Sequence, residues 1–274
     1  MSLTPAACSV HTHATCCDGK NTLEEMAAAA YAAGVQYYGV SCHSHTPLEL
    51  DAGYVLPADM TAYRKAVLDL REQYAGRMEV LLGLEWDSQS DITPEGFDYW
   101  IGSAHYQRQN GKAYAADWGE EAFTACRDEA FHGDALAVAE GYFREVCRVA
   151  AKKPPILGHI DLITKLNGGS RFFDETAPRY KQAALEALHA ADPVATLLEI
   201  NTGGVSRGYR TEPYPALSLL EEWRRMGGRI ILTSDAHSVD TVVYGYGQSA
   251  ALAKAAGFTK STLLTLEGPV ECAL

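Results

Sequence analysis

Seven short apolar runs recur along the chain, each closing on a histidine or a carboxylate: CSVHTH, YYGVSCHSH, MEVLLGLE, YWIGSAH, PILGHID, TLLEIN and RIILTSDAH. Each run has strand length, and most follow an amphipathic segment of helical spacing. Strands alternating with helices predict a parallel α/β architecture. In a barrel of that kind the C-terminal ends of the strands converge on one mouth, where active sites are built. The runs therefore direct His11, His13, His43, Glu85, His105, His159, Asp235 and His237 toward a single cavity. Nitrogen and carboxylate donors at that density point to a multi-metal hydrolytic site.

A chain of 274 residues with 47% hydrophobic content is long and apolar enough for one large α/β domain, expected over residues 1–274. No apolar stretch approaches the ~20 residues of a membrane span. The first ten residues lack the basic start and apolar segment of a secretory signal, so a cytoplasmic protein is expected. Seven cysteines without regular spacing fit reduced thiols, with Cys42 and Cys147 in the core and Cys16-Cys17 in the loop after His13. The net charge of −12 offers no basic stripe, so neither nucleic acid nor membrane is an expected partner. A small phosphorylated substrate is compatible with it, because bound divalent ions make a cavity locally positive. The protein is expected to be a monomer or homodimer.

Along the chain, Ala7–His13 reads as the first strand. Thr22 and Glu25 form a capping box that opens an alanine-rich helix, stopped at Gly34. Strands are predicted at Tyr37–Cys42, Met78–Glu85, Tyr99–Ala104, from Pro155 to His159, at Leu197–Asn201 and at Arg229–Ser234. Helices are predicted near Asp59–Tyr74, Gly141–Ala151, Pro178–Ala191, Pro215–Met226 and Gln248–Ala256. Gln107–Gly119 reads as a loop over the mouth.

His11-Thr12-His13 places two imidazoles on one face of a strand, as does Asp235-Ala236-His237 for a carboxylate and an imidazole. Gly19 allows the chain to turn back, so that Asp18 either faces the cavity or serves the turn itself. Glu85 ends an otherwise uncharged run, where a carboxylate needs a cation to offset its desolvation. Small residues precede His105 and His159 and keep the mouth open. His45 reads as a substrate contact or a donor to a ligand. His132 and His189 lie in polar or helical surroundings and read as surface residues. Glu199, the acid of TLLEIN, reads as a structural group or a hydrogen-bond partner of a ligand.

The motif HxHxxxxDG at His11–Gly19, followed by SCHS, GLE, GSAH, GHID, EINTGG and SDAH, resembles the PHP (polymerase and histidinol phosphatase) superfamily from about residue 9 to 260. The strings GSAHY, LGHIDLITK, EINTGGVSRGYRTEPYP and SDAHS are similar to its histidinol-phosphate phosphatases. The resemblance implies a distorted (β/α)7 TIM-like barrel holding three divalent ions of zinc, manganese or iron. It implies His11, His13, Glu85 and Asp235 at the first ion, with Glu85 bridging to a second held by His105 and His159. Asp18, His43 and His237 are implied at the third. Many relatives read DHS where this chain has Cys42-His43-Ser44.

A phosphate monoester needs a strong nucleophile and neutralisation of the transferring group. A hydroxide bridging two ions supplies the first, and the clustered ions supply the second. Asp235 or a histidine such as His237 is the candidate proton donor to the leaving alkoxide. Arg207 and Arg210, in the glycine-rich loop after Leu197–Asn201, are candidate phosphate clamps, with Lys165 a further one. The expected activity is hydrolysis of L-histidinol phosphate. The alternatives are a phosphoesterase of the same superfamily acting on nucleotides or short oligonucleotides, and a non-catalytic metal-binding regulatory protein.

Overall fold

The computed structural model describes residues 3–51 and 53–274. Strands β1 (Cys8–Ser9), β2 (Tyr37–Val40) and β3 (Glu79–Asp87) are separated by helices α1 (Leu23–Ala32) and α2 (Thr61–Gln73). Strand β4 (Tyr99–Ser103) leads into a hairpin of β5 (Tyr106–Gln109) and β6 (Lys112–Ala115), then α3 (Glu120–Ala125) and α4 (Ala135–Ala150). Next come β7 (Ile156–Leu157), α5 (Pro178–His189), β8 (Leu197–Asn201) and a single turn, α6 (Gly203–Ser206). The chain closes with α7 (Leu217–Arg225), β9 (Arg229–Thr233), α8 (Tyr246–Ala255) and a hairpin of β10 (Lys260–Thr265) and β11 (Gly268–Ala273).

Strands β1, β2, β3, β4, β7, β8 and β9 form one sheet in that order, every pair parallel. A further parallel bridge from Thr12 to Ala236 joins the two ends, with His13 N donating to Ala236 O at 2.8 Å. The sheet is thereby a nearly closed seven-stranded barrel with helices outside it, as the alternation predicts. The Thr22–Glu25 capping box is formed, and both of its hydrogen bonds are present. No helix among the described residues is long and apolar enough to cross a membrane.

The barrel interior is layered. At its lower end Val10, Leu81, Ile101, Ile156, Leu197 and Ile231 pack around Tyr99, with Leu263 and Leu264 of β10 against them. The C-terminal hairpin thus plugs the end away from the strand tips. The Tyr99 ring fills space left by two glycines: a Cβ on Gly39 or Gly83 would lie 2.3 or 2.2 Å from its atoms. Tyr99 Oη then donates to Val10 O at 2.5 Å. Above this apolar plug the buried residues become polar.

Three departures from the sequence reading matter here. Gln107–Gly119 is not a simple loop, because residues 106–115 form the β5–β6 hairpin. Its turn is Asn110-Gly111, both with positive φ (51° and 83°), the dipeptide that suits a two-residue hairpin. The β10–β11 hairpin was not anticipated at all. Strands β1 and β7 are also shorter than predicted. After Ser9 the chain leaves the regular ladder and rejoins it only at Thr12, which frees His11 and His13 to face inward.

Candidate metal centre

The polar layer is built from strand tips. Thr12 Oγ1 donates to Gly39 O at 2.9 Å, so it faces the neighbouring strand while His11 and His13 face the cavity. His11 Nδ1–H donates to Glu199 Oε1 at 2.5 Å. That bond fixes the tautomer and leaves the Nε2 lone pair 3.2 Å from Glu85 Oε2 and 3.7 Å from Asp235 Oδ1. His13 Nε2 sits 3.4 Å from Glu85 Oε2 and 3.3 Å from Asp235 Oδ1.

Glu85, 1% exposed at the end of β3, lies at the centre. Its Oε2 meets His43 Nδ1 at 3.0 Å as well as His11 and His13, while Oε1 meets His159 Nε2 at 3.0 Å and His105 Nε2 at 3.4 Å. Ser103 Oγ donates to Oε1 at 2.7 Å. Asp18 reaches in from the turn after His13, placing Oδ2 3.5 Å from His43 Nε2 and 3.1 Å from His237 Nε2. That turn needs glycine, since a Cβ on Gly19 would lie 2.5 Å from Ala14 N. Asp235 adopts φ +49°, a left-handed conformation uncommon outside glycine and stored here at the site.

Burial by itself would raise the carboxyl pKa of Glu85, but His11, His43 and His105 outweigh it and hold that group well below the ordinary range. Asp235 is likewise pushed up by burial and pulled well below by Arg207 and His11. Burial lowers the imidazoles, yet Glu199 and Glu85 raise His11 to about 10, and Glu85 and Asp87 raise His105 to about 10. The anionic cavity therefore demands positive charge, from protons or from metal ions. His11 Nε2, His13 Nε2, Asp18 Oδ1 and Glu85 Oε2 are buried without a hydrogen-bond partner. Orphaned lone pairs that converge in this way fit divalent ions. Four sets of donor atoms lie within 4.8 Å of one another: His11–His13–Asp235, His11–Glu85–His159, His43–Glu85–His105 and His13–Asp18–His43–His237.

All nine residues expected as ligands are brought together. His237 comes with a condition: its Nδ1 accepts from Arg207 Nη1 at 2.7 Å, so the neutral ring carries its proton on Nε2. Ligation through Nε2 requires Arg207 to release Nδ1. Arg207 Nη2 also donates to Asp235 Oδ2 at 3.0 Å, and both Arg207 and Lys165 line the cavity. Lys165 Nζ pairs with Asp117 Oδ2 at 2.8 Å.

Arg210, expected at the phosphate, and His45, expected as a substrate contact or a donor to a ligand, both lie outside the cavity lining. The Arg210 guanidinium bonds Thr164 and packs 4.7 Å from the Tyr214 ring centroid, tying two loops together. Asp91 draws His45 Nδ1 to 2.6 Å. His189 pairs with Glu222 at 2.5 Å near the surface and His132 is exposed, as expected. Glu199 is the hydrogen-bond partner of a candidate ligand. Asp87 was missed. Its Oδ2 accepts from His105 N (2.8 Å) and Nδ1 (3.1 Å), and its position two residues beyond Glu85 on one strand face was the available signal. The outer wall of the ~390 Å³ cavity adds Asp51, Tyr54, Tyr106, Asp117, Trp118 and Tyr209.

Fold and donor set define the class: a parallel seven-stranded barrel with a metal-binding cluster of histidines and carboxylates at the strand tips. The profile of the PHP domain family matches residues 8–203, and the chain belongs to that family. It is 28% identical over 258 residues to a probable histidinol-phosphatase of Deinococcus radiodurans, covering 88% of this chain and 90% of that protein. It is 25% identical over 266 residues to a histidinol-phosphatase of Bacillus subtilis, covering 86% and 95%. Among solved structures, the histidinol phosphate phosphatase of Lactococcus lactis, complexed with zinc, L-histidinol and phosphate, superposes with a TM-score of 0.63. Its sequence identity is 18%, covering 96% of this chain and 98% of that one.

Proposed function

We propose that this chain, acting as a single domain, is a metal-dependent phosphomonoesterase that hydrolyses L-histidinol phosphate to L-histidinol and phosphate. The observation that carries the reading is Glu85: one buried carboxylate within 3.4 Å of five imidazoles, at the floor of an open cavity with Arg207 on its wall. The reading is supported by relatives named histidinol-phosphatase and by the zinc, L-histidinol and phosphate of the Lactococcus lactis complex.

Three ions of zinc, manganese or iron are the proposed complement. His11, His13, Glu85 and Asp235 would hold the first, Glu85, His105 and His159 the second, and Asp18, His43 and His237 the third. Bound divalent ions supply a deprotonated water at neutral pH and neutralise the phosphoryl oxygens. The chain's residues do the positioning. Glu199 holds His11 and Asp87 holds His105, each by a hydrogen bond to Nδ1 that turns Nε2 inward. Arg207, with two N–H groups directed at Asp235 and His237, is placed to transfer them to a phosphate, which frees His237 Nδ1. Lys165 adds a second positive charge. Tyr54, Trp118 and Tyr209, with the Asp117 carboxylate beside them, offer aromatic and anionic surface to a cationic amine and an imidazole.

The test is phosphate release from L-histidinol phosphate beside a panel of nucleotides, with metal-loaded protein. Release from histidinol phosphate that a chelator abolishes supports the reading. Faster release from nucleotides replaces the substrate, and no release from any ester replaces catalysis with a binding role.

A further inference from the structure

Outside the histidine–carboxylate layer, one cluster of chemically capable side chains is left without a task. The turn after His13 carries Cys16 and Cys17, and the chain beyond β2 carries Cys42. The sequence separates Cys16 and Cys42 by 26 positions, but their Sγ atoms lie 3.2 Å apart. Sγ atoms of all three fall within 4.8 Å of one another. Cys42 is fully buried, Cys17 is 8% exposed and Cys16 is half-buried, so the group is enclosed but has one open side. The hydrogen bonds these thiols make are to each other and to His13 Nδ1, 3.6 Å from Cys17 Sγ. The two loops that hold them are themselves fixed: Cys17 N and Gly19 N both donate to Ala14 O (2.9 and 3.0 Å), and Ser41 N donates to Thr12 O (2.9 Å).

We propose that Cys16, Cys17 and Cys42 form a second metal site, a three-thiolate pocket for one thiophilic d¹⁰ divalent cation such as zinc. A tetrahedral ion with Zn–S near 2.3 Å needs sulfur atoms about 3.8 Å apart, a spacing bracketed by the 3.2 Å between Cys16 and Cys42 and the 4.8 Å within which all three lie. Soft sulfur donors select such a cation over the harder ions that nitrogen and oxygen ligands accept. Binding displaces the S–H protons to solvent, and the half-buried side at Cys16 leaves the fourth position to water. A disulfide would employ two sulfurs and leave Cys17 idle, so the convergence of three favours the metal. The site also touches the catalytic layer, through Cys17 to His13 and through the chain neighbours Asp18 and His43. Its occupancy thereby sets the position of the loop that presents Asp18.

The experiment uses the reduced full chain with its histidine–carboxylate site already filled with manganese, titrated with cadmium. A cadmium–thiolate pair gives a near-ultraviolet charge-transfer band that nitrogen and oxygen ligands do not, so the readout is independent of phosphatase activity. One equivalent producing the band in the unsubstituted chain, and none in C16S/C17S/C42S, is the expected result. Cys8, Cys126, Cys147 and Cys272 remain in both proteins and serve as the internal background. Cys16→Ser alone, at the accessible corner, is expected to weaken cadmium binding by at least the ~10–100-fold that loss of even an outer-sphere partner causes. Its circular dichroism and melting temperature in the absence of cadmium are expected to match the unsubstituted chain, which separates ligand loss from unfolding. A band of equal size in the triple variant, or no band in the unsubstituted chain, overturns the proposal. If hydrogen peroxide removes two thiols from the unsubstituted chain and none from the Cys16→Ser variant, while cadmium gives no band, the cluster is a redox pair instead.

Discussion

Glu199→Gln changes one atom in a residue that touches no substrate, yet the hydrogen-bond inventory predicts a large effect. Glu199 Oε1 accepts from His11 Nδ1 at 2.5 Å and from Thr233 Oγ1 at 2.6 Å. Its Oε2 accepts from His159 N at 2.8 Å and from Asn201 Nδ2 at 3.0 Å. Every partner is a donor, so the new amide NH₂ must face a donor wherever it lies. Beside Oε2 it meets the immovable N–H of His159, leaving buried donors unpaired at a cost of ~1–3 kcal/mol. Beside Oε1 it meets His11, which escapes by moving its proton to Nε2. That is the atom whose lone pair faces Glu85 and Asp235, so His11 ceases to be a ligand. Outer partners of this kind are worth ~10–100-fold in metal affinity or turnover. The assay is metal content after dialysis together with kcat on L-histidinol phosphate, and circular dichroism to verify folding. A Glu199→Gln protein with full metal content and turnover within about twofold of the parent refutes the tautomer argument.

Other predictions follow from the same geometry. Arg207→Ala removes a charge-assisted pair worth ~1.5–3 kcal/mol and is expected to lower kcat/KM about 10–100-fold; Arg207→Lys restores charge but not the fork, and recovers only part. An unchanged kcat/KM in Arg207→Ala removes that residue from the phosphate site. In the chelated protein, His11 and His105 are raised from 6.5 to about 10, so the stability they contribute is complete below pH 6.5 and is lost as the pH rises through about 10. The melting temperature of the chelated protein is therefore expected to fall over that window, while the metal-loaded protein, whose ligating imidazoles hold no such proton, stays level; parallel curves contradict it. Gly83→Ala drives a Cβ to 2.2 Å from Tyr99 and is expected to cost ~1–3 kcal/mol, a fall of roughly 2–4 °C per kcal/mol in thermal unfolding. Gly168→Ala, with nothing within 4 Å, is the matched control and is expected to melt like the parent.

The barrel and the donor set were legible because both rest on strand periodicity. Apolar runs that end in histidine or carboxylate mark strand tips, and tips in a parallel barrel share one mouth. Asp18 was reached through Gly19, whose turn the structure requires. What sequence did not disclose were competitions between side chains. Arg210 and His45 sit on loops near the mouth, as substrate contacts would, but Thr164 with Tyr214 claims one and Asp91 claims the other. The same blindness applied to the cysteines: Cys16 and Cys42 read as a loop thiol and a core thiol, and only the packing of two loops put their sulfurs in contact. The β5–β6 hairpin was a different failure, since Asn110-Gly111 carried the signal. The β10–β11 hairpin carried no such dipeptide; its role as a plug depends on the open lower end of a barrel whose strands are drawn from the whole preceding chain.

The account stands or falls on phosphate release from L-histidinol phosphate by one preparation measured three ways: as purified, after chelation, and after addition of zinc, manganese or iron. Release that disappears with the chelator and returns with the metal, while Glu85→Ala releases nothing in any state, is the predicted result. Equal release from the chelated protein, or from Glu85→Ala, would contradict the claim that the carboxylate at the centre of these histidines holds the ions that do the chemistry.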